Sequence, residues 1–151
     1  MLVPWIVAIV LVLTAVLLHY EAFRLLGWLT GRLTQIHRLR VAVVVLGCFS
    51  AHLAAVTIFA GGLYGSAMYL HFGTLKGNVG DGFKDFFYFS IVTYTSLGIG
   101  DVYPTGHLRL LTGVEALLGL MMITWSATFT FLEMRKIWND GSRDSEHARV
   151  K

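Results

Sequence analysis

Thr95-Ser96-Leu97-Gly98-Ile99-Gly100-Asp101 is the stretch that decides how this chain is read. It holds a hydroxyl pair, two glycines separated by one residue, and a closing carboxylate. Glycine adopts backbone angles that other residues avoid, so a Gly-x-Gly strip is able to turn successive carbonyl groups the same way. Carbonyls aimed at one axis can replace the water around a dehydrated cation. The strip lies between a polar-aromatic run, Asp85 to Tyr94, and a long apolar segment that begins near Leu108. Tyr103 and Pro104 follow it, and Pro104 bars any continuation of regular structure.

Outward from the strip, the composition is that of a membrane protein. Of 151 residues, 56% are hydrophobic and only 14% are charged, too apolar for an ordinary soluble domain. A helix of about 20 apolar residues spans a hydrocarbon core of about 30 Å. Three stretches qualify. Leu2 to Leu18 is uncharged, Val41 to Leu70 carries only His52, and Leu108 to Leu132 is interrupted by Arg109 and Glu115 alone. A buried soluble bundle would not need three such spans in so short a chain. The first span lacks a basic leader and a small-x-small cleavage site, and Pro4 comes too early to end a signal sequence, so it reads as a retained anchor. Cys48 is the single cysteine, which excludes an intrachain disulfide, and it reads as a small apolar packing residue.

The strip with its context resembles the Thr-Val-Gly-Tyr-Gly-Asp selectivity filter of the potassium-channel superfamily. The resemblance runs from about Phe86 to about Phe131. Phe87-Tyr88-Phe89-Ser90-Ile91-Val92-Thr93-Tyr94 is similar to the aromatic pore helix before such filters, and Asp101-Val102-Tyr103-Pro104 matches the Asp-x-Tyr-Pro exit. Gly119 falls where the inner helix of that family carries a hinge glycine, if the connecting loop is one residue shorter here. The implied fold class is all-α and integral to the membrane. Three transmembrane helices, a re-entrant pore helix and a filter loop would assemble as a tetramer around a central pore. The expected organisation is an additional N-terminal helix over 1–20, a connection over 21–40 and a pore domain over 41–135. Within that domain fall an outer helix (41–70), a turret (71–80), a pore helix (81–94), the filter (95–101) and an inner helix (108–135), with a short tail over 136–151. The additional helix is expected on the lipid side of the outer helix.

By the same resemblance, potassium ions would be bound by the backbone carbonyls of Ser96, Leu97, Gly98 and Ile99 with the Ser96 hydroxyl, and Gly100 would close the filter. Thr93, Thr95, Asp101 and Glu115 would support it. Ser96 keeps the hydroxyl of the usual threonine, and Leu97 replaces a valine whose side chain points behind the filter. Ile99 replaces a tyrosine. A tyrosine hydroxyl can tie a filter to its pore helix, whereas isoleucine can only pack, so a softer and less selective filter is one expectation. Leu120, Ile123, Thr124 and Ala127 would line an inner cavity below Gly119, and Phe131 is either a hydrophobic gate or, more simply, a packing aromatic.

Glu115 stands out because a carboxylate inside a membrane span is costly and marks a functional candidate. It is expected to hydrogen-bond Ser90 or Thr93 behind the filter. A structural role is favoured over proton sensing, since buried polar groups are normally satisfied. His52 reads as a packed, satisfied histidine, and nothing in the sequence places it at the depth of Glu115. Gly47, Ala51 and Ala55 recur every four residues, a spacing that permits close helix approach but also arises by chance.

Charge sets the expected orientation. Arg24, Arg32, Arg38 and Arg40 face a single acid, Glu21, between the first two spans. Basic residues favour the cytoplasmic side, which puts the filter and the N-terminus outside and the tail inside a plasma (inner) membrane. The same four arginines are candidates for anionic lipid. Leu25, Leu26, Leu29, Leu33 and Ile36 fit either an interfacial helix or a plain connection. No span carries regularly spaced arginines, so voltage sensing is not expected. Nucleic acid is excluded as a partner, because the net charge of +3 shows no basic cluster interleaved with stacking aromatics. No paired carboxylates, metal-ligand cluster or activated nucleophile point to an enzyme, and no cofactor is expected beyond permeant potassium. The function expected is a homotetrameric, potassium-conducting channel. A weakly selective monovalent cation channel and a non-conducting scaffold or subunit are the alternatives.

Overall fold

The computed structural model describes residues 2–32, 37–80 and 82–149. Helix α1 covers Leu2–Arg32, α2 His37–Met68, α3 Phe83–Tyr94 and α4 Leu108–Arg149; short strands β1 (Leu75–Gly77) and β2 (Val102–Pro104) flank α3 in sequence. Leu2–Arg32, Arg38–Met68 and Leu108–Lys136 are long and apolar enough to cross a membrane, so the protein is a multi-pass membrane protein.

α1 extends beyond the 1–20 expected. Residues 21–32 contain no proline, and Glu21 and Arg24 pair at 3.1 Å one turn apart. A buried stripe recurs every three or four residues through Ala8, Leu11, Ala15, His19, Phe23 and Leu26. The helix therefore keeps one packed face through the polar stretch. Leu25 is exposed while Leu26 is buried, so the leucines of this stretch do not share one face; Leu33 and Ile36 lie outside the described residues. α4 likewise runs past 135 to Arg149, with no proline to stop it.

The position of α1 differs from the expectation. It does not sit on the lipid side of α2 alone but packs against both α2 and α4. Phe23 stacks on Phe129 at 4.6 Å between ring centroids and meets Trp125 edge-on at 5.0 Å. Lower down, Thr30 donates to the buried Glu133 carboxylate at 3.0 Å, and Lys136 donates to the same carboxylate at 2.5 Å. The small residues of α2 receive α1. A Cβ at Gly47 would collide with Leu26, and one at Gly62 would lie 2.6 Å from the Leu11 methyls. Ala51 and Ala55 are buried beside them. The small-residue spacing is thus a contact surface.

Arg40 corrects the lipid assignment. It is 4% exposed and turned into the protein, whereas Arg24, Arg32 and Arg38 are exposed, with Arg32 over the Trp28 ring at 3.8 Å.

β1 and β2 form an antiparallel ribbon in the register Leu75↔Pro104, Lys76↔Tyr103 and Gly77↔Val102. Thr105 N donates to Thr74 O at 2.9 Å, and Asn78 N donates to Asp101 O at 3.0 Å. Gly77 sits at φ 115° with the Asp101 carbonyl where a Cβ would go, so only glycine fits there. The ribbon joins the two ends of the segment containing α3 and the strip. That segment therefore leaves and returns at one place. The core beneath it is built from Phe59 and Leu63 of α2, Phe86 and Tyr94 of α3, and Leu108 and Leu111 of α4.

Candidate functional site

α3 is 12 residues long, about 18 Å at 1.5 Å per residue, and cannot cross a bilayer. It ends in a tight reversal. Ser96 N donates to Thr93 O at 2.9 Å, Leu97 N to Val92 O at 3.0 Å, and the Thr95 hydroxyl to Ile91 O at 2.8 Å. These bonds cap the last carbonyls of the helix and fix the direction in which the strip departs.

Beyond the reversal, every second residue is left-handed: Ser96 at φ 56°, Gly98 at 58° and Gly100 at 86°. In an ordinary strand consecutive carbonyls alternate in direction. Alternating the sign of φ cancels that alternation and turns them toward one side. Left-handed φ costs glycine little, which explains Gly98 and Gly100, whereas Ser96 is a non-glycine residue in an uncommon region. Among the described residues, no backbone N–H donates to the carbonyls of Ser96 through Gly100. A Cβ built on Gly98 or Gly100 would meet nothing within 4 Å, and Leu97 and Ile99 are 65% and 57% exposed. Within one chain the strip is uncovered.

Its far end is tethered. The Tyr88 hydroxyl on α3 donates to Asp101 Oδ2 at 3.0 Å, and this bond raises the Tyr88 phenol above its ordinary range. The tether joins α3 to the end of the strip without a hydroxyl at position 99. Tyr88 was not anticipated as a functional residue; its signal was a tyrosine in an otherwise phenylalanine-rich run.

Behind α3, Glu115 is fully buried and its Oε1 meets the Ser90 hydroxyl, which also donates to Val56 O at 3.0 Å. Of the two partners expected for Glu115, Ser90 is engaged; Thr93 is not among its hydrogen-bond partners. Glu115 Oε2 is buried without one. Gly119 is one turn further along α4. A Cβ there would collide with the carbonyl of Tyr94, so its glycine serves a close approach of α4 to the end of α3.

His52 is tied to three helices. It reaches the Tyr94 hydroxyl at 3.0 Å, His19 of α1 at 3.3 Å and the Ser126 hydroxyl of α4 at 2.9 Å. Neither His19 nor Ser126 was expected here. Histidines in two apolar helices were visible in the sequence, but their common depth was not. Leu120, Ile123, Thr124, Ala127 and Phe131 are all exposed along α4, away from buried Met122 and Ser126. Among the described residues no cluster of three metal-ligating side chains occurs.

A family model described as "Ion channel" matches residues 52–136, more than half of the chain. The chain belongs to the potassium-channel superfamily of ion channels. No curated protein and no solved structure matches the chain. The matched span of the channel begins within α2, so α1 lies outside it.

Proposed function

We propose that four copies of this channel surround one axis and conduct potassium passively through the carbonyls of Ser96, Leu97, Gly98 and Ile99. The observation that carries this reading is the left-handed φ at Ser96, Gly98 and Gly100 on a strip whose carbonyls accept no backbone hydrogen bond from the described residues. One chain supplies one wall, and the exposure of Leu97 and Ile99 leaves surface for neighbouring copies to cover. Stacked rings of oxygens bind a dehydrated cation, while several adjacent sites let ions displace one another. α3 acts as a re-entrant pore helix, and its C-terminal end near Tyr94 presents the negative end of its dipole to the cation. The inner cavity is lined by Leu120, Ile123, Thr124 and Ala127, with Phe131 deeper. The exposed arginines Arg24, Arg32 and Arg38 support a cytoplasmic α1–α2 connection in a plasma membrane, with the N-terminus outside and the end of α4 inside. There they meet anionic headgroups.

A second reading, a weakly selective cation channel, rests on Ile99, which brings no hydroxyl to the filter wall. Against it stands the Tyr88–Asp101 tether. Flux from liposomes holding the purified protein, under potassium, sodium and N-methylglucamine gradients, separates the readings. Potassium flux well above sodium and blocked by barium is expected. Equal potassium and sodium flux favours the second reading. No flux over a range of lipid and pH would leave a non-conducting scaffold.

A further inference from the structure

The chain of groups Ala15–His19–His52–Tyr94 and Ser126 fixes where its protons sit. The Ala15 carbonyl can only accept, so His19 Nδ1, 3.0 Å away, carries a proton and donates. In a neutral His19 ring, Nε2 is then a lone pair. It faces His52 Nδ1 at 3.3 Å, so His52 Nδ1 must be the N–H. That single N–H points between His19 Nε2 and the Tyr94 hydroxyl oxygen, at 3.3 and 3.0 Å. His52 Nε2 is consequently an acceptor, and the Ser126 hydroxyl donates to it at 2.9 Å. The carbonyl at one end thus dictates every donor and acceptor as far as α3 and α4.

We propose that His19 and His52 form a proton-operated coupling between α1 and the helix leading into the filter. When the pair takes up one proton, both nitrogens of His19 become N–H groups. His19 Nε2–H then donates to His52 Nδ1, whose own proton must leave that nitrogen. His52 becomes the opposite tautomer, with Nε2–H donating to Ser126. The one lone pair on His52 Nδ1 is now taken by His19, and Tyr94 loses the N–H that held its hydroxyl. The pair gains one positive charge, and no bond other than N–H changes. Tyr94 immediately precedes the strip, and its carbonyl lies against Gly119, so its release loosens the base of the filter.

The groups that face the pair are few. Among the described residues they are Phe23 from α1, Tyr94 from α3 and Ser126 from α4, with the titratable Glu115 of α4 behind Tyr94.

The coupling rests on the conducting reading only for its flux readout. Potassium flux from liposomes is expected to fall about tenfold in the wild type as the pH is lowered from about 8 to about 4, a coupling of ordinary allosteric size. His19→Gln keeps a hydrogen-bonding side chain that cannot take the proton, and its profile is expected to be flat. A flat or inverted wild-type profile, or a pH response that survives in His19→Gln, overturns the proposal. A second readout does not need conduction. Ring-nitrogen shifts of histidine-labelled protein in bilayers should show His52 passing from the Nδ1–H to the Nε2–H tautomer on acidification, and remaining Nδ1–H in His19→Gln or losing its pH response. A His52 ring fixed in one tautomer in the wild type overturns the coupling even where flux responds to pH. If no flux occurs at any pH, conduction is refuted and the tautomer titration alone decides the coupling.

Discussion

On one side of α3, Phe86, Ser90 and Tyr94 are sealed against α2 and α4, and Ser90 shares its hydroxyl between a backbone carbonyl and a buried carboxylate. On the other side, Leu97 and Ile99 stand exposed and the strip carbonyls receive no N–H from the described backbone. The same short helix therefore has one half finished within the chain and one half left open. The finished half must be rigid before the open half can be used, because a strip with no ladder of its own takes its position from the helix behind it. On the proposed reading a single copy is one subunit, and the strip would gain its remaining walls by association with neighbouring copies. Changes on the sealed side should act on stability, and changes on the open side on ion discrimination.

The largest effect is expected from Gly119→Ala. The added methyl has no flexible side chain to displace; it meets the Tyr94 carbonyl, its carbon and its Cα. Overpacking of this kind costs about 1–3 kcal/mol. Thermal unfolding in detergent should show a clear loss of stability, together with altered flux from a shifted α3. If Gly119 were only a hinge in α4, alanine would leave the melting temperature unchanged and alter gating alone. That result would remove the close approach from the sealed side.

Ser90→Ala should come next. It leaves a fully buried carboxyl without its hydroxyl partner, a loss of about 1–3 kcal/mol. Replacing both groups, as in Ser90→Ala with Glu115→Leu, should recover part of that loss, since removing both partners of a buried pair is far milder than removing one. A double-mutant cycle in chemical denaturation reads the coupling directly. Additive losses would mean that the two groups are neighbours without being partners.

The division between the halves also explains what could be read from sequence. The strip was legible because its backbone demands are local: Gly98 and Gly100 take the left-handed angles that their identity permits. The three spans were legible from apolar length. The placement of α1 was not, because a helix apolar on nearly every face gives no strong sign of which stripe packs, and Gly47 and Gly62 mark the docking surface only once Leu26 and Leu11 are seen against them. Arg40 looked like the other arginines, yet burial depends on helix rotation, which charge patterning does not specify. The β1–β2 ribbon is three residues a side, too short to show an alternating pattern. The histidine chain joins positions 19, 52, 94 and 126, and depth along separate helices has no sequence signature.

The smallest effect on stability, and the sharpest test of the open side, is expected from Tyr88→Phe. The bond from Tyr88 to Asp101 lies on the exposed flank of α3, so its loss should leave thermal unfolding of the subunit nearly unchanged. Its effect should appear where the filter works. With isoleucine at position 99, no side-chain hydroxyl of the strip wall is available there to hold it, and the Tyr88–Asp101 tether is the bond seen to join α3 to the filter exit. Releasing that end should let the carbonyl rings widen, so the ratio of potassium to sodium flux should fall severalfold. Ile99→Tyr in the Tyr88→Phe background supplies a hydroxyl from the other partner and should restore part of the ratio. If Tyr88→Phe lowers the melting temperature but leaves the flux ratio intact, the tether belongs to the sealed half and the open face keeps its shape by association alone.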